Sequence, residues 1–243
     1  FLISRFVTIF LVVVLPASLC VASEPLIVGN FSVQPVDGAL LEGWQPLFFD
    51  GVDNHTVYTH ILEDGVGVIQ ASSAQSSSGL VRNISIDVNE YSTLSFRWKI
   101  QKSIPAADLT QKKGDDAPAR VYITFAYDSS QVSWWEVVKF EAIKLIYGEY
   151  PPIGALTYVW ASHELPGTIL DSPYTNRVKI IVLESGTAQQ GQWLAEQRDI
   201  QADYQKAFGV RDVPLISGVA IMTDTDNTGE QAVAWYGDII FSN

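Results

Sequence analysis

The sequence predicts a mainly β protein: a two-sheet, antiparallel, jelly-roll-like sandwich carrying one or two short inserted helices. Three observations predict it. Apolar residues recur at every second position through much of the chain, the period of a half-buried strand. Turn-forming pairs such as Asp50-Gly51 and Asp64-Gly65 punctuate these runs. Aromatic residues make up 12% of the chain and charged residues only 17%. That balance fills a core and excludes disorder.

The elements follow in order. Strands are expected near Leu26–Val33, Val57–Ile61, Val66–Ala71 and Leu80–Val88, with the serine-rich Ser72–Gly79 read as a turn. Leu94, Phe96, Trp98 and Ile100 share one face of the next strand, and Thr93, Ser95, Arg97 and Lys99 share the other. Val121, Ile123, Phe125 and Tyr127 repeat that pattern. Val178–Leu183 is apolar on both faces, as a central strand would be. Ile216–Thr223 and Ala232–Phe241 complete the series. A helix is expected across Gln131–Leu145, and a better supported one across Gly191–Phe208. In the latter, Trp193, Ile200, Tyr204 and Phe208 fall near one face and Gly209 stops it. No internal repeat or linker divides the chain, so residues 23–243 read as a single domain.

Residues 1–22 read as a secretory signal peptide. Arg5 precedes the apolar Phe6–Leu15, and small residues lead to a cut after Ala22. The expected location is therefore secreted or periplasmic, with no membrane span after cleavage. The only cysteine, Cys20, lies in that segment, so disulfides and thiol chemistry are excluded from the mature chain. About 220 residues remain, enough to bury a core without cross-links. The net charge of −12 becomes −13 once Arg5 is lost. That charge disfavours nucleic acid as a partner, because a chain so acidic repels phosphate backbones.

Two acidic segments are the candidate sites. Gly218–Glu230 runs from a strand into a loop holding Asp224, Asp226, Asn227 and Thr228. Oxygen ligands at alternating positions suit calcium, with Asp224 and Asp226 as its ligands. The twelfth position of such a loop is Trp235, where a bidentate Glu is needed, so an EF-hand is excluded. An ordinary hairpin turn uses the same residue types. The second segment, Gly114-Asp115-Asp116, precedes a strand bearing Arg120. It would place two carboxylates beside a guanidinium, either to grip a ligand or as an Asp–Arg ion pair. Of the seven tryptophans, Trp98 reads as core and Trp193 as packing its helix on the sheet. Trp160 and the adjacent Trp134 and Trp135 are candidates to stack on a ligand. His55, His60 and His163 have no metal-ligand spacing, and there is no Gly-x-Ser-x-Gly elbow or phosphate loop.

Several segments together carry a resemblance. They are Ala106-Ala107-Asp108-Leu109, Lys113 to Tyr122, Tyr158-Val159-Trp160-Ala161, Ile181 to Gly186, Asp203 to Gly209, and Gly218 to Gly229. The pattern resembles an uncharacterised family of secreted bacterial proteins, number three thousand and forty-seven among the domains of unknown function. It spans roughly Phe31 to Phe241. The resemblance implies a jelly roll like that of carbohydrate-binding modules. Asn30-Phe31-Ser32 and Asp238-Ile239-Ile240-Phe241 look like the ends of such modules.

The expected function is a secreted, non-catalytic β-sandwich binding a carbohydrate or other cell-surface polymer, with calcium as its only candidate cofactor. The expected ligand-binding residues are Asp115, Asp116, Arg120, Trp160, Asp224, Asp226 and Asn227. One alternative is a polysaccharide-acting enzyme with paired carboxylates among Asp115, Asp116, Asp224 and Asp226. Another is a structural or assembly protein of the envelope.

Overall fold

The computed structural model describes residues 23–33, 41–129, 140–141, 144 and 151–243. Two sheets face each other. The first contains β1 (Leu26–Gly29), β3 (Val57–Glu63), β4 (Val66–Ala74), β6 (Thr93–Ile100), β11 (Leu194–Asp199) and β13 (Gln231–Ser242), in the order β11-β6-β13-β4-β3, with β1 also paired to β13. The second contains β2 (Gln45–Leu47), β5 (Ser77–Ile86), β7 (Ala119–Phe125), β8 (Gly154–Ala161), β9 (Ile169–Ser172), β10 (Thr175–Ser185) and β12 (Ile216–Asp224), in the order β2-β5-β12-β7-β8-β10-β9. Among the described residues every pairing is antiparallel except β8 with β10, which is parallel. The sandwich expected from the alternation is what the chain forms.

Alternation places the core. Leu94, Phe96, Trp98 and Ile100 of β6 meet Val121, Ile123 and Phe125 of β7 and Leu156, Tyr158 and Trp160 of β8 in one buried cluster. The Trp98 and Trp160 rings lie 6.1 Å apart at its centre, and Phe96 meets Trp98 edge-on at 5.1 Å. Both spacings suit aromatic pairs. The opposite face of β6, with Ser95, Arg97 and Lys99, points away from the core, as its sequence predicts.

Four strands escape the sequence reading: β2, β8, β9 and β11. β8 is buried at every position, so it carries no polar alternation to detect. β10 is present as expected but lies next to the edge strand β9 rather than at the centre. Its two apolar faces have another cause. A second cluster, Leu109, Ala117, Val159, Ala161, Ile180 and Val182, covers the outer side of β8 and β10.

The helix expected across Gly191–Phe208 is half strand. β11 pairs with β6 in continuous register from Leu194↔Trp98 to Asp199↔Thr93. Only Ile200–Phe208 is helical and is named α1. Its apolar stripe is Ile200, Tyr204 and Phe208, at four-residue spacing. Tyr204 packs on Phe125 at 4.4 Å. The Asp199 side chain caps the helix by accepting from Ala202 N at 2.9 Å, and Gly209 closes it at φ 70°. Aspartate before the first turn and a left-handed glycine after the last are the residues those positions favour. Trp193 thus belongs to the strand side of the boundary and packs no helix. Ser72–Gly79 is also not an open turn: it supplies the end of β4 and the start of β5 around Gln75 and Ser76. Of the helix expected across Gln131–Leu145, only Phe140, Glu141 and Lys144 are among the described residues, and they are helical. Trp134 and Trp135 lie outside the described residues.

Candidate functional site

The two acidic segments meet. β7 carries Arg120 on its outer face, β12 ends at Asp224, and the loop before β7 returns Asp115 and Asp116 to the same point. Arg120 is 2% exposed and acts as a clamp. Its Nε donates to Asp224 Oδ1 at 2.9 Å and its Nη2 to Asp224 Oδ2 at 3.1 Å. Nη2 also donates to Asp115 Oδ1 at 2.9 Å and to the Asp115 carbonyl at 2.8 Å. This is the forked geometry that a guanidinium fits best.

Asp116 does different work. Its Oδ1 accepts from Asn227 N at 3.2 Å and its Oδ2 from Thr228 N at 2.6 Å. The carboxylate therefore caps the 224–229 loop from outside. Behind that loop, Ser73, Ser76 and Thr225 exchange buried hydroxyl bonds of 2.8 to 2.9 Å, and Thr225 N donates to Ser76 O at 2.9 Å. The serine run is a polar brace for the acidic loop. Gly114 allows the close return of the Asp115–Asp116 segment. A Cβ there would lie 2.8 Å from Asp108 N and 3.0 Å from Asp108 O, both backbone atoms that cannot yield. Gly114→Ala is expected to lower stability by about 1–3 kcal/mol through overpacking, read as an earlier urea midpoint with an unchanged slope.

Burial pushes the Asp224 carboxyl from its ordinary 3.8 up to about 7, with Asp116 and Asp115 adding to the rise and Arg120 opposing it. Burial likewise raises Asp226, again with Asp116 contributing. Asp224 thereby links stability to pH. Its folded pKa lies above its unfolded one, so its stabilising contribution is complete below pH 3.8 and is lost as pH rises through about 7. The stability difference between the parent and Asp224→Asn should therefore change across that interval. Parallel curves of unfolding free energy against pH would contradict it.

Asp115, Asp116, Arg120 and Asp224 are thus brought together, but buried and bonded to one another and to the backbone. Their polar atoms are engaged in structure rather than left open to a ligand. Asp226 and Asn227 stay at the rim, both half-buried, beside Tyr174, whose 54% exposed ring flanks them. Oxygens of Asp116, Asp224 and Asp226 lie within 4.8 Å of one another. That spacing and donor set suit calcium. An ion there would have to share Asp224 with Arg120, and Asp116 with two backbone N–H groups. Trp160 corrects the sequence expectation. It is 0% exposed in the sandwich core, because it falls on the same alternation as Leu156 and Tyr158, and it presents no face to a ligand.

A second surface was not read from the sequence. On the outer face of the first sheet, Lys99 pairs in register with Trp235 of β13, and Trp193, just before β11, lies on its other side. The Lys99 ammonium sits 4.4 Å from the centre of the Trp235 ring and 5.3 Å from that of Trp193. The Arg97 guanidinium lies over Trp193 at 4.6 Å. These are cation–π distances. Register extends this row from Trp235 to Gln70 and on to Thr59. Beside it opens a shallow groove of about 510 Å³, lined by Ser95, Arg97, Ala195, Gln197, Asp238 and Ile240 among others. Alternation put Arg97 and Lys99 on one face. What hid the row was the reading of Trp193 as helical.

A family model described as "Protein of unknown function (DUF3047)" matches residues 42–240. The chain belongs to this family. The DUF3047 sandwich is also similar, at low level, to solved structures. One is the family 11 carbohydrate-binding module of the cellulosomal cellulase Lic26A-Cel5E of Clostridium thermocellum, at 12% identity and a TM-score of 0.44, covering 90% of this chain and 94% of that one. Another is the endoglucanase Cel12A from Rhodothermus marinus, at 10% identity and 0.41, covering 91% and 100%. A third is the K3 cleaved adhesin domain of Lys-gingipain from Porphyromonas gingivalis, at 12% and 0.40, covering 90% and 100%. Nothing about ligand or chemistry follows from likeness at this level. No curated protein matches the DUF3047 chain.

Proposed function

We propose that this protein is a non-catalytic β-sandwich, exported from the cytoplasm, that binds a polysaccharide on the outer face of its first sheet. The observation that carries the reading is the Trp193–Lys99–Trp235 row beside the groove. Two partly exposed indoles on either side of Lys99 offer apolar surface to sugar rings, and Gln70, Thr59, Ser95 and Gln197 offer hydrogen bonds on the same face. Rigid strands hold such a platform with little entropy left to lose on binding.

The paired-carboxylate enzyme finds less support. Asp115 and Asp224 hold Arg120, and Asp116 caps a loop, so neither a free acid nor a free nucleophile is formed by them. Export is favoured by the N-terminal segment, and among the described residues no helix is long and apolar enough to cross a membrane. Calcium enters this reading only as a brace of the 224–229 loop. Because Arg120 already supplies the positive charge there, calcium titration should leave the melting temperature unchanged, and a rise would restore a metal role to Asp224 and Asp226.

Affinity electrophoresis through gels containing neutral and acidic polysaccharides tests the proposal. Retardation by at least one polymer class is expected. Unretarded migration in every gel would overturn it.

A further inference from the structure

We propose that the polymer is anionic, and that a uronic acid carboxylate of its chain pairs with Arg97. The inference rests on the reading of this face as a polysaccharide site and names the chemistry that the site would select. Arg97 is the basic residue in the groove. Its stem lies across β13 at Gly237, where a Cβ would come within 2.4 Å of Arg97 Cγ and Nε and would push the side chain aside. Above, the Trp193 ring covers the guanidinium at 4.6 Å. Backbone below and indole above restrict the guanidinium before any ligand arrives.

Its charge is not answered within the sheet. Glu63 pairs with Lys99, and Arg120, Lys179 and Arg198 each hold acids of their own. Among the described residues no carboxylate pairs with Arg97. Two acids line the groove, and both are engaged elsewhere. Asp238 accepts from Ser32 N at 2.8 Å and from the Ser32 hydroxyl, and Glu196 accepts from Trp98 Nε1 at 3.1 Å on the core-facing row. An indole-stacked guanidinium that pairs with neither groove acid matches a planar carboxylate two bonds at a time. A hexuronate supplies that carboxylate together with hydroxyls that Ser95 and Gln197 can meet.

The test is affinity electrophoresis with polygalacturonate, the same polymer with its carboxyls reduced to primary alcohols, hydroxyethyl cellulose and poly-glutamate. Polygalacturonate should bind most tightly and weaken as salt is added. Reduction of its carboxyls should cost about tenfold or more in affinity, the scale of a charge-assisted hydrogen bond. Arg97→Gln should bind native and reduced polymers equally, with Arg97→Lys between it and the parent because it keeps charge without the fork. Equal parent binding to native and reduced polymer, or an Arg97→Gln variant with unchanged preference, would overturn the inference. Tight binding of the neutral cellulose alone would do so while leaving the polysaccharide reading intact. Poly-glutamate binding as tightly as polygalacturonate would replace the glycan with an acidic peptide. Binding of no probe would overturn both.

Discussion

Arg120→Met is expected to lower the unfolding free energy by about 3–5 kcal/mol, measured by urea titration well above the Asp224 titration. A 2% exposed guanidinium makes four hydrogen bonds to Asp115 and Asp224, and these join the loop before β7 to the end of β12. Methionine fills much of the volume and offers no donor. Two carboxylates then face each other where neither is hydrated, and the desolvation penalty of each is left uncompensated. In a domain of this size the melting temperature should fall by on the order of 10 °C. The double variant Arg120→Met with Asp224→Leu removes both members of the forked pair and should recover part of the loss. A single variant as stable as the parent would mean that the clamp contributes nothing to stability.

The second large effect concerns binding. Trp193→Ala and Trp235→Ala should each weaken the polysaccharide complex roughly thirtyfold, and together by on the order of a thousandfold, the scale of buried aromatic anchors at an interface. Stability should change little by comparison, because both indoles are partly exposed on the outer face. Trp98 and Trp160 differ: buried and central, they would unfold the protein if truncated and report nothing about ligand. If the outer-face variants bind like the parent while Asp226→Ala and Tyr174→Ala release the polymer, the site lies at the rim of the acidic loop instead.

Much of the candidate constellation was legible. Asp224 and the Gly114-Asp115-Asp116 segment with Arg120 stand out as acids and a base at strand ends, and they do converge. Their purpose was not legible. Whether an Asp–Arg group faces a ligand or locks two loops depends on burial, and burial of these residues is created by chain more than a hundred positions away. Asp224 and Arg120 are 104 residues apart. Trp160 misled for the same reason. Its neighbours Tyr158-Val159-Trp160-Ala161 lack a polar alternation, so the sequence offers no sign of which side faces the core.

Local pattern was enough to establish the fold class, the strands with period-2 alternation, and the face on which Arg97 and Lys99 stand. These are short-range properties, written in which side chains can be wetted along a single strand. Packing of distant segments was needed to make residues 194–199 a strand beside β6, to turn Trp160 into core, and to close the acidic loops on Arg120. It also set Trp193 and Trp235 on either side of Lys99. Each of these depends on which strand lies next to which, and cross-strand neighbours in a sandwich come from remote stretches of chain whose pairing no local pattern records.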